Sequence, residues 1–280
     1  MQDGLRVHVR DYGAANTKLL PVVCLAGLTR NSADFEALAE ALASGQAGSA
    51  RRVIAIDYRG RGLSDYDADW HHYNVTMEST DIIAALTALS ITRAQFVGTS
   101  RGGLNSMVLA AMRPHLIAAL VLNDIGPVLE PKGLARIKSY VGKMPQPQSW
   151  ADAENLLKTV SSNHFPALGD DDWKAFAAQV FHEVKGKLVP RYDLKLANTM
   201  AALDLDAPQP DLWPQFEAMQ AIPILVLRGE MSDLLSEATF TAMQTRHPHC
   251  QGFVVAGQGH APMLRDQASI SAIATFLEQA

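Results

Sequence analysis

Short apolar segments recur along the chain, and six of them are nearly continuous in apolar side chains rather than alternating with polar ones. These six segments are residues 19–25, 53–56, 95–97, 116–122, 224–227 and 253–255. A strand that is covered on both faces of a sheet has this pattern. Each segment therefore predicts a strand in the interior of a sheet.

Between these segments the apolar residues follow the period of an α-helix. Phe35, Leu38, Ala39 and Leu42 stand at positions i, i+3, i+4 and i+7, and the same spacing recurs within residues 104–111 and 270–277. Buried strands thus alternate with amphipathic helices. The alternation predicts an α/β fold with a mostly parallel, doubly wound sheet and helices on both faces.

The alternation stops between residues 127 and 213, where no convincing buried strand is found. Nine of the 14 prolines lie in or next to this stretch, as do three of the four tryptophans. We interpret 127–213 as a helical cap over the carboxyl edge of the sheet, where open α/β folds bind ligands, and 1–126 with 214–280 as the core. A separate domain is less favoured, because the chain returns to the same sheet rather than ending in a linker.

The composition narrows the class of protein. Of the 280 residues, 48% are apolar and 19% are charged, which is typical of a soluble globular protein with a sizeable core. The net charge is −5 without a basic block, so we expect a small-molecule substrate and no nucleic-acid partner. No signal sequence or membrane-spanning segment is recognised, so we expect a cytoplasmic protein without a membrane partner. Cys24 and Cys250 are expected to be free thiols, and the oligomeric state is left open.

One turn has the residues of a nucleophile elbow. The sequence GTSRGG at 98–103 follows the apolar segment 95–97 and opens the amphipathic helix of residues 104–111. Small flanking residues let such a turn tighten until the serine hydroxyl projects from the sheet edge in a strained backbone. Ser100 is therefore predicted to be a nucleophile, and a plain helix-capping serine is the alternative.

A serine hydroxyl needs a base to take its proton and a third group to hold that base. Of the nine histidines, only His260 follows a predicted strand on a glycine-rich loop, and it is the predicted base. Asp233 and Asp124 each follow a strand, and either gives the chain order Ser, acid, His. Asp233 is preferred because the turn that begins at Gly229 suits the presentation of a carboxylate.

Two further motifs join these residues: the turn DYRGRGLSD at 57–65 and the loop LAGL at 25–28. Together the motifs resemble the α/β-hydrolase superfamily, specifically its cap-bearing serine hydrolases, which include esterases, lactonases and carbon–carbon bond hydrolases. The turn at 57–65 matches the family pattern D-x-R-G-x-G-x-S, and we assign it no chemistry. The loop at 25–28 lies where the family carries its oxyanion loop, with Ala26 in place of the frequent histidine. The resemblance implies an oxyanion hole built from the backbone N–H groups of Leu28 and Arg101.

The Arg101 side chain adds a cation beside the predicted nucleophile. It can pair with a buried carboxylate or contact an anionic substrate. We favour the pairing, because charged groups near a core are usually paired.

These observations predict a serine hydrolase that cleaves a carboxylic ester or related acyl bond of a small, largely apolar substrate through an acyl-enzyme. No metal or nucleotide motif is found, and no cofactor is expected. Two alternatives stay open: a carbon–carbon bond hydrolase of ring-cleavage dienoates, whose carboxylate Arg101 would contact, and a ligand receptor that keeps the triad with negligible turnover. The candidate substrate-binding residues are aromatic side chains of the cap, namely Trp150, Phe165, Trp173, Phe181 and Trp213.

Overall fold

The computed structural model describes residues 1, 3–15 and 17–280. The strands in these residues are β1 (Val9–Tyr12), β2 (Val22–Leu25), β3 (Val53–Ile56), β4 (Ala94–Thr99), β5 (Ile117–Asn123), β6 (Phe181–Val184), β7 (Lys187–Pro190), β8 (Ile224–Gly229) and β9 (Cys250–Val255). The α-helices are α1 (Glu36–Ser44), α2 (Val75–Ala88), α3 (Arg101–Met112), α4 (Pro131–Tyr140), α5 (Trp150–Ser161), α6 (Asp170–Val180), α7 (Leu196–Ala201), α8 (Trp213–Glu217), α9 (Glu237–Arg246) and α10 (Gln267–Gln279). Among the described residues, no helix combines the length and apolar character that crossing a membrane requires.

Seven strands form one sheet in the order β1-β3-β2-β4-β5-β8-β9. The neighbours from β3 to β9 are parallel, whereas β1 lies antiparallel to β3 at one edge, with Val9 opposite Ile56. Each of the six apolar segments overlaps a strand of this sheet, and β1 is the seventh strand. The predicted α/β fold with a mostly parallel sheet is confirmed.

Both faces of the sheet are covered, which explains the continuous apolar runs. Successive side chains of a strand point to opposite faces. Val23 therefore packs in one apolar cluster with Ile82 of α2, while its neighbour Val22 packs in the other with Leu38 of α1. Cys24, next along β2, is buried as a free thiol.

The chain leaves the sheet after β5 and returns to it at β8. We call the intervening residues 124–223 the insertion. It contains five α-helices, as the absence of buried apolar runs predicts, but it also contains the antiparallel hairpin β6–β7. This hairpin turns through Lys185 and Gly186, both at positive φ, which is the geometry of a tight two-residue hairpin turn. The hairpin escaped the sequence reading because most of its side chains are partly or fully exposed.

The insertion has a small apolar cluster of its own, but it also joins the core through apolar and polar contacts, since Leu134 and Ile137 pack in the same apolar cluster as Val23 of the sheet. Trp173 and Phe181 are buried within the insertion's own cluster. The Asn31 side-chain amide donates to the Gln179 carbonyl of α6 at 2.8 Å, and the Tyr73 hydroxyl donates to Asp193 at 2.6 Å. The insertion is thus fixed above the loops that follow β2 and β3.

Candidate active site

Ser100 occupies a strained turn between β4 and α3. Its backbone has φ 51° and ψ −110°, a conformation that a side chain rarely adopts. Glycines make the turn possible, since a Cβ on Gly98 would lie 2.6 Å from the Gly102 carbonyl oxygen, and one on Gly102 would overlap the carbonyl of Leu25. The sheet and helix hold the serine hydroxyl at the carboxyl edge of the sheet, as a nucleophile elbow requires.

A chain of three side chains is built on this serine. His260 Nε2 lies 2.9 Å from Ser100 Oγ, and His260 Nδ1 lies 2.8 Å from Asp124 Oδ2. Asp124 is fully buried and also accepts from the Gly229 N–H at 2.8 Å and from the Ser232 hydroxyl at 2.6 Å. An ionised Asp124 next to Nδ1 favours the tautomer with its proton on Nδ1. Nε2 is then free to accept the serine proton.

The carboxylate beside His260 is therefore Asp124, which corrects the preference for Asp233. Asp233 instead accepts two hydrogen bonds from Arg136 of α4, at 2.6 Å from Nε and 2.8 Å from Nη2. Burial alone would raise the pKa of Asp233, but the Arg136 guanidinium lowers it by more, so the pKa lies below its usual value. Asp124 has the better position because β5 lies directly beside β4, the strand that carries Ser100. The turn at Gly229 does serve the site, but by donating hydrogen bonds to Asp124.

The two residues of the implied oxyanion hole lie on either side of Ser100. A Cβ on Gly27 would stand 3.9 Å from the Ser100 Cβ, which brings the loop that contains Leu28 against the elbow. Arg101 is the first residue of α3, so its N–H has no acceptor four residues earlier in that helix. Both segments of the implied oxyanion hole thus lie next to Ser100, and the hole itself stays a prediction.

The Arg101 side chain turns away from the substrate side. Its Nε donates to Glu78 of α2 at 2.7 Å, and Glu78 has no exposed surface. Burial alone would raise the pKa of Glu78, but the charges of Arg101 and Arg61 lower it by more, so the pKa lies below its usual value. Of the two possibilities for Arg101, the structure contains the pairing with a buried carboxylate.

A cavity of about 160 Å³ opens above Ser100 and His260, between the core and the insertion. Of the five predicted aromatic residues, only Phe165 lines it. Trp150 is 41% exposed, and Trp213 stacks under Arg246, whose guanidinium carbon lies 3.8 Å from the ring centroid. The other two, buried in the insertion's own cluster, do not reach the cavity. The sequence reading missed the lining residues Tyr140, Met144, Leu157, Phe176 and Tyr192.

Two arginines also line the cavity, and each is paired with an aspartate. Arg30 donates through Nε and Nη2 to Asp34 at 2.8 and 2.6 Å, and Arg136 makes the equivalent pair with Asp233. These contacts leave Nη1 of each guanidinium without a carboxylate partner in the described residues. In the part of the chain that the structure describes, no group of three or more His, Cys, Asp or Glu side chains is placed to hold a metal ion.

Residues 21–266 match the family model for the alpha/beta hydrolase fold. The chain therefore belongs to the α/β-hydrolase family, as the motifs predicted. It is an enzyme of that family, related to proteins named as hydrolases and esterases.

Two relatives with named activities are similar over nearly the whole chain. A 3-hydroxybutyrate-oligomer hydrolase of Cupriavidus necator is 33% identical and is matched over 97% of this chain and 92% of its own length. A 2-(acetamidomethylene)succinate hydrolase of Mesorhizobium japonicum is 27% identical over 98% of this chain and 92% of its own. Among solved structures, an alpha/beta hydrolase from Novosphingobium aromaticivorans has a TM-score of 0.91 and 39% identity, covering 99% of this chain and 95% of that one.

Proposed function

We propose that this enzyme is a serine hydrolase that cleaves carboxylic esters through an acyl-enzyme, with Ser100 as nucleophile, His260 as general base and acid, and Asp124 as the residue that orients His260. The observation that carries the proposal is the continuous chain of contacts from Ser100 Oγ through both imidazole nitrogens to Asp124. A serine, a histidine and a buried carboxylate in this order form the triad of acyl-transfer enzymes.

In the first half of the reaction, His260 Nε2 takes the Ser100 proton as Oγ attacks the ester carbonyl carbon. The carbonyl oxygen becomes an oxyanion that accepts from the Leu28 and Arg101 N–H groups, and such a donor contributes about 3 kcal/mol to the transition state. His260 then gives the proton to the departing alkoxide oxygen, so the ester bond breaks and Ser100 carries the acyl group. Asp124 stays ionised and stabilises the imidazolium throughout.

In the second half, water replaces the alcohol. His260 takes a proton from the water as its oxygen attacks the acyl carbon, and a second oxyanion forms at the same two N–H groups. The tetrahedral intermediate collapses, Ser100 recovers its proton from His260, and the carboxylic acid leaves. This proposed reaction uses side chains and backbone groups of the protein and calls for no cofactor.

The substrates we propose are small esters of hydroxy acids, including short 3-hydroxybutyrate oligomers. The cavity favours a short and largely apolar acyl chain, since Leu157, Phe165 and Phe176 line it. Arg30 and Arg136 offer N–H groups to the free carboxylate at the end of such an oligomer. The 33% identity with a 3-hydroxybutyrate-oligomer hydrolase supports the same class. Residues 127–213 act in this proposal as a cap that shapes the cavity.

Cleavage of a carbon–carbon bond loses the contact on which that hypothesis rested, because Glu78 already holds the Arg101 side chain. A receptor with negligible turnover is the remaining alternative. Steady turnover of an ester excludes it, whereas saturable ligand binding without product would establish it.

The test compares the free dimer of 3-hydroxybutyrate with its methyl ester and with p-nitrophenyl butyrate, using the wild-type enzyme and Ser100→Ala. We expect all three esters to be hydrolysed, the free dimer with the lowest KM, and Ser100→Ala to lose at least about 10³-fold in kcat. A fluorophosphonate should label the wild type on Ser100 alone. Full activity in Ser100→Ala would refute the mechanism, and an equal KM for the dimer and its methyl ester would refute carboxylate recognition.

A further inference from the structure

Three charged side chains are buried together behind the proposed oxyanion hole. Glu78 of α2 and Arg61 of the loop after β3 have no exposed surface, and the Arg101 side chain is largely buried beside them. One oxygen of Glu78 lies 2.8 Å from Arg61 Nη2, and the other lies 2.7 Å from Arg101 Nε. One carboxylate therefore holds two guanidiniums, one from each side.

This cluster reaches both segments that carry the proposed oxyanion donors. Arg61 Nε donates to the Leu28 carbonyl oxygen at 2.9 Å, so it holds the residue whose N–H is the first proposed donor. Arg101 itself follows Ser100 directly and supplies the second N–H. The covalent chain connects Leu28 and Arg101 only through more than 70 intervening residues, whereas Glu78 connects them through two guanidiniums.

Glu78 is itself rigidly held. It lies in the first turn of α2, whose start is capped by the Asn74 side chain accepting from the Met77 N–H at 2.9 Å. The Asn105 amide of α3 donates to Glu78 at 3.2 Å, which ties the carboxylate to the helix that follows the elbow. A fixed carboxylate of this kind can set a distance between two loops, which a mobile surface pair cannot.

We propose that Glu78 is a positioning residue that sets the separation of the Leu28 and Arg101 N–H groups, a role that rests on the proposed ester hydrolysis. Donors in an oxyanion hole act at 2.7–3.1 Å, and a misplacement of about 1 Å costs about 100-fold in rate. The loop of Leu28 is neither strand nor helix, so bonds from side chains, including that of Arg61 to the Leu28 carbonyl, help to hold it. Glu78 contacts neither Ser100 nor the cavity, and it acts through the two arginines.

The chain offers a matched control on the same helix. Asp81 lies three residues after Glu78, is also buried, and makes two bonds to Arg59, at 2.6 and 2.7 Å. Arg59 comes from the same loop as Arg61, but its Asp81 contacts reach neither oxyanion segment. Asp81→Asn thus removes a buried charge of α2 without touching the proposed positioning.

The experiment compares Glu78→Gln and Asp81→Asn with the wild type in kcat, KM, Tm and the affinity for a trifluoromethyl ketone analogue of the substrate, which forms an oxyanion on the serine. We expect Glu78→Gln to lower kcat about 10- to 100-fold with KM within about threefold, and to weaken the ketone by a similar factor. Asp81→Asn should lower Tm while kcat and ketone affinity stay within about twofold.

The proposal is overturned if Glu78→Gln keeps both kcat and ketone affinity, or if Asp81→Asn loses as much of either. Should Glu78→Gln fail to fold, Arg61→Lys gives the same test, because a lysine keeps the charge but replaces the separate Nε and Nη2 donors, which reach Leu28 and Glu78, by a single nitrogen. If the wild type itself neither hydrolyses esters nor forms the ketone adduct, the proposed function fails instead. The two failures are therefore distinguishable.

Discussion

Replacing Asp124 by asparagine tests the proposed triad at its acid, for which the sequence analysis had preferred Asp233. The asparagine has the same shape, but it can put only one oxygen where Asp124 has two. Gly229 donates to Oδ1, while Ser232 and His260 both meet Oδ2. With the asparagine oxygen on Gly229, its NH₂ group faces His260 Nδ1 and favours the tautomer with the proton on Nε2.

That tautomer cannot accept the proton of Ser100, so the acylation rate should fall by up to about 10⁴-fold, which corresponds to about 5 kcal/mol of transition-state stabilisation. The matched variant is Asp233→Asn, which keeps one oxygen for Arg136 and leaves His260 untouched. We expect its kcat to stay within about tenfold of the wild type, since it removes no contact to the reacting groups.

The assay is stopped-flow acylation with p-nitrophenyl butyrate, which reports the chemical step, together with thermal melting to show that both variants are folded. Titration with a fluorophosphonate counts the competent sites in each preparation. If Asp233→Asn is the inactive variant and Asp124→Asn hydrolyses the ester at near wild-type rate, the acid is not the residue that contacts His260 in the structure, and the reasoning fails.

Three further outcomes are expected. Burial raises the pKa of Asp233, but the Arg136 guanidinium has the larger opposite effect, so the pKa lies below its usual 3.8. The pair therefore stabilises the fold above about pH 4, and this contribution is lost as the pH falls through the lowered pKa. Lowering the pH from about 5 to about 2 should therefore reduce the free energy of unfolding, measured with urea, more in the wild type than in Asp233→Asn. Equal losses in the two proteins would contradict this prediction. Gly102→Ala should be inactive in the ester assay or unfolded by circular dichroism, because the new Cβ would overlap the Leu25 carbonyl. Gly169→Ala should melt like the wild type, because its new Cβ would have no neighbouring atom closer than 3.8 Å. Phe165→Ala should raise KM and shift the preferred acyl-chain length in a p-nitrophenyl ester series; Trp150→Ala, outside the cavity, should leave both unchanged, and the reverse pattern would contradict the assigned lining.

Local geometry explains why Ser100 and His260 were recognisable from the sequence. Each follows a buried strand on a glycine-containing turn, and the elbow leaves its glycines in positions that tolerate no Cβ. The alternation of buried strands and amphipathic helices likewise follows from burial on two faces of the sheet. The fold, Ser100 and His260 can therefore be predicted from short stretches of sequence.

The acid and the cavity wall depend on contacts between distant segments. Asp124 and Asp233 both follow strands, and the choice between them is made by the adjacency of β4 and β5 and by Arg136, which engages Asp233. A periodicity argument contains neither fact. The aromatic residues of the insertion face the same limit, because tertiary packing alone lets Phe165, in the loop between α5 and α6, line the cavity while Trp173 of α6 does not.

The insertion leaves and re-enters the sheet between two strands that are direct neighbours, with Asn123 paired to Leu227. Its ends are also stitched together at Asp124, which accepts from Gly229 and Ser232 on the returning side. Topologically, some hundred residues therefore form one loop with a fixed base, and doubling the length of a flexible loop costs only about 0.6 kcal/mol in closure entropy. Lineages that lengthen, shorten or exchange this loop can explore new substrates while the serine, histidine and aspartate keep their spacing. Chimaeras joined at this base are thus a practical route to enzymes that catalyse the same reaction on different substrates.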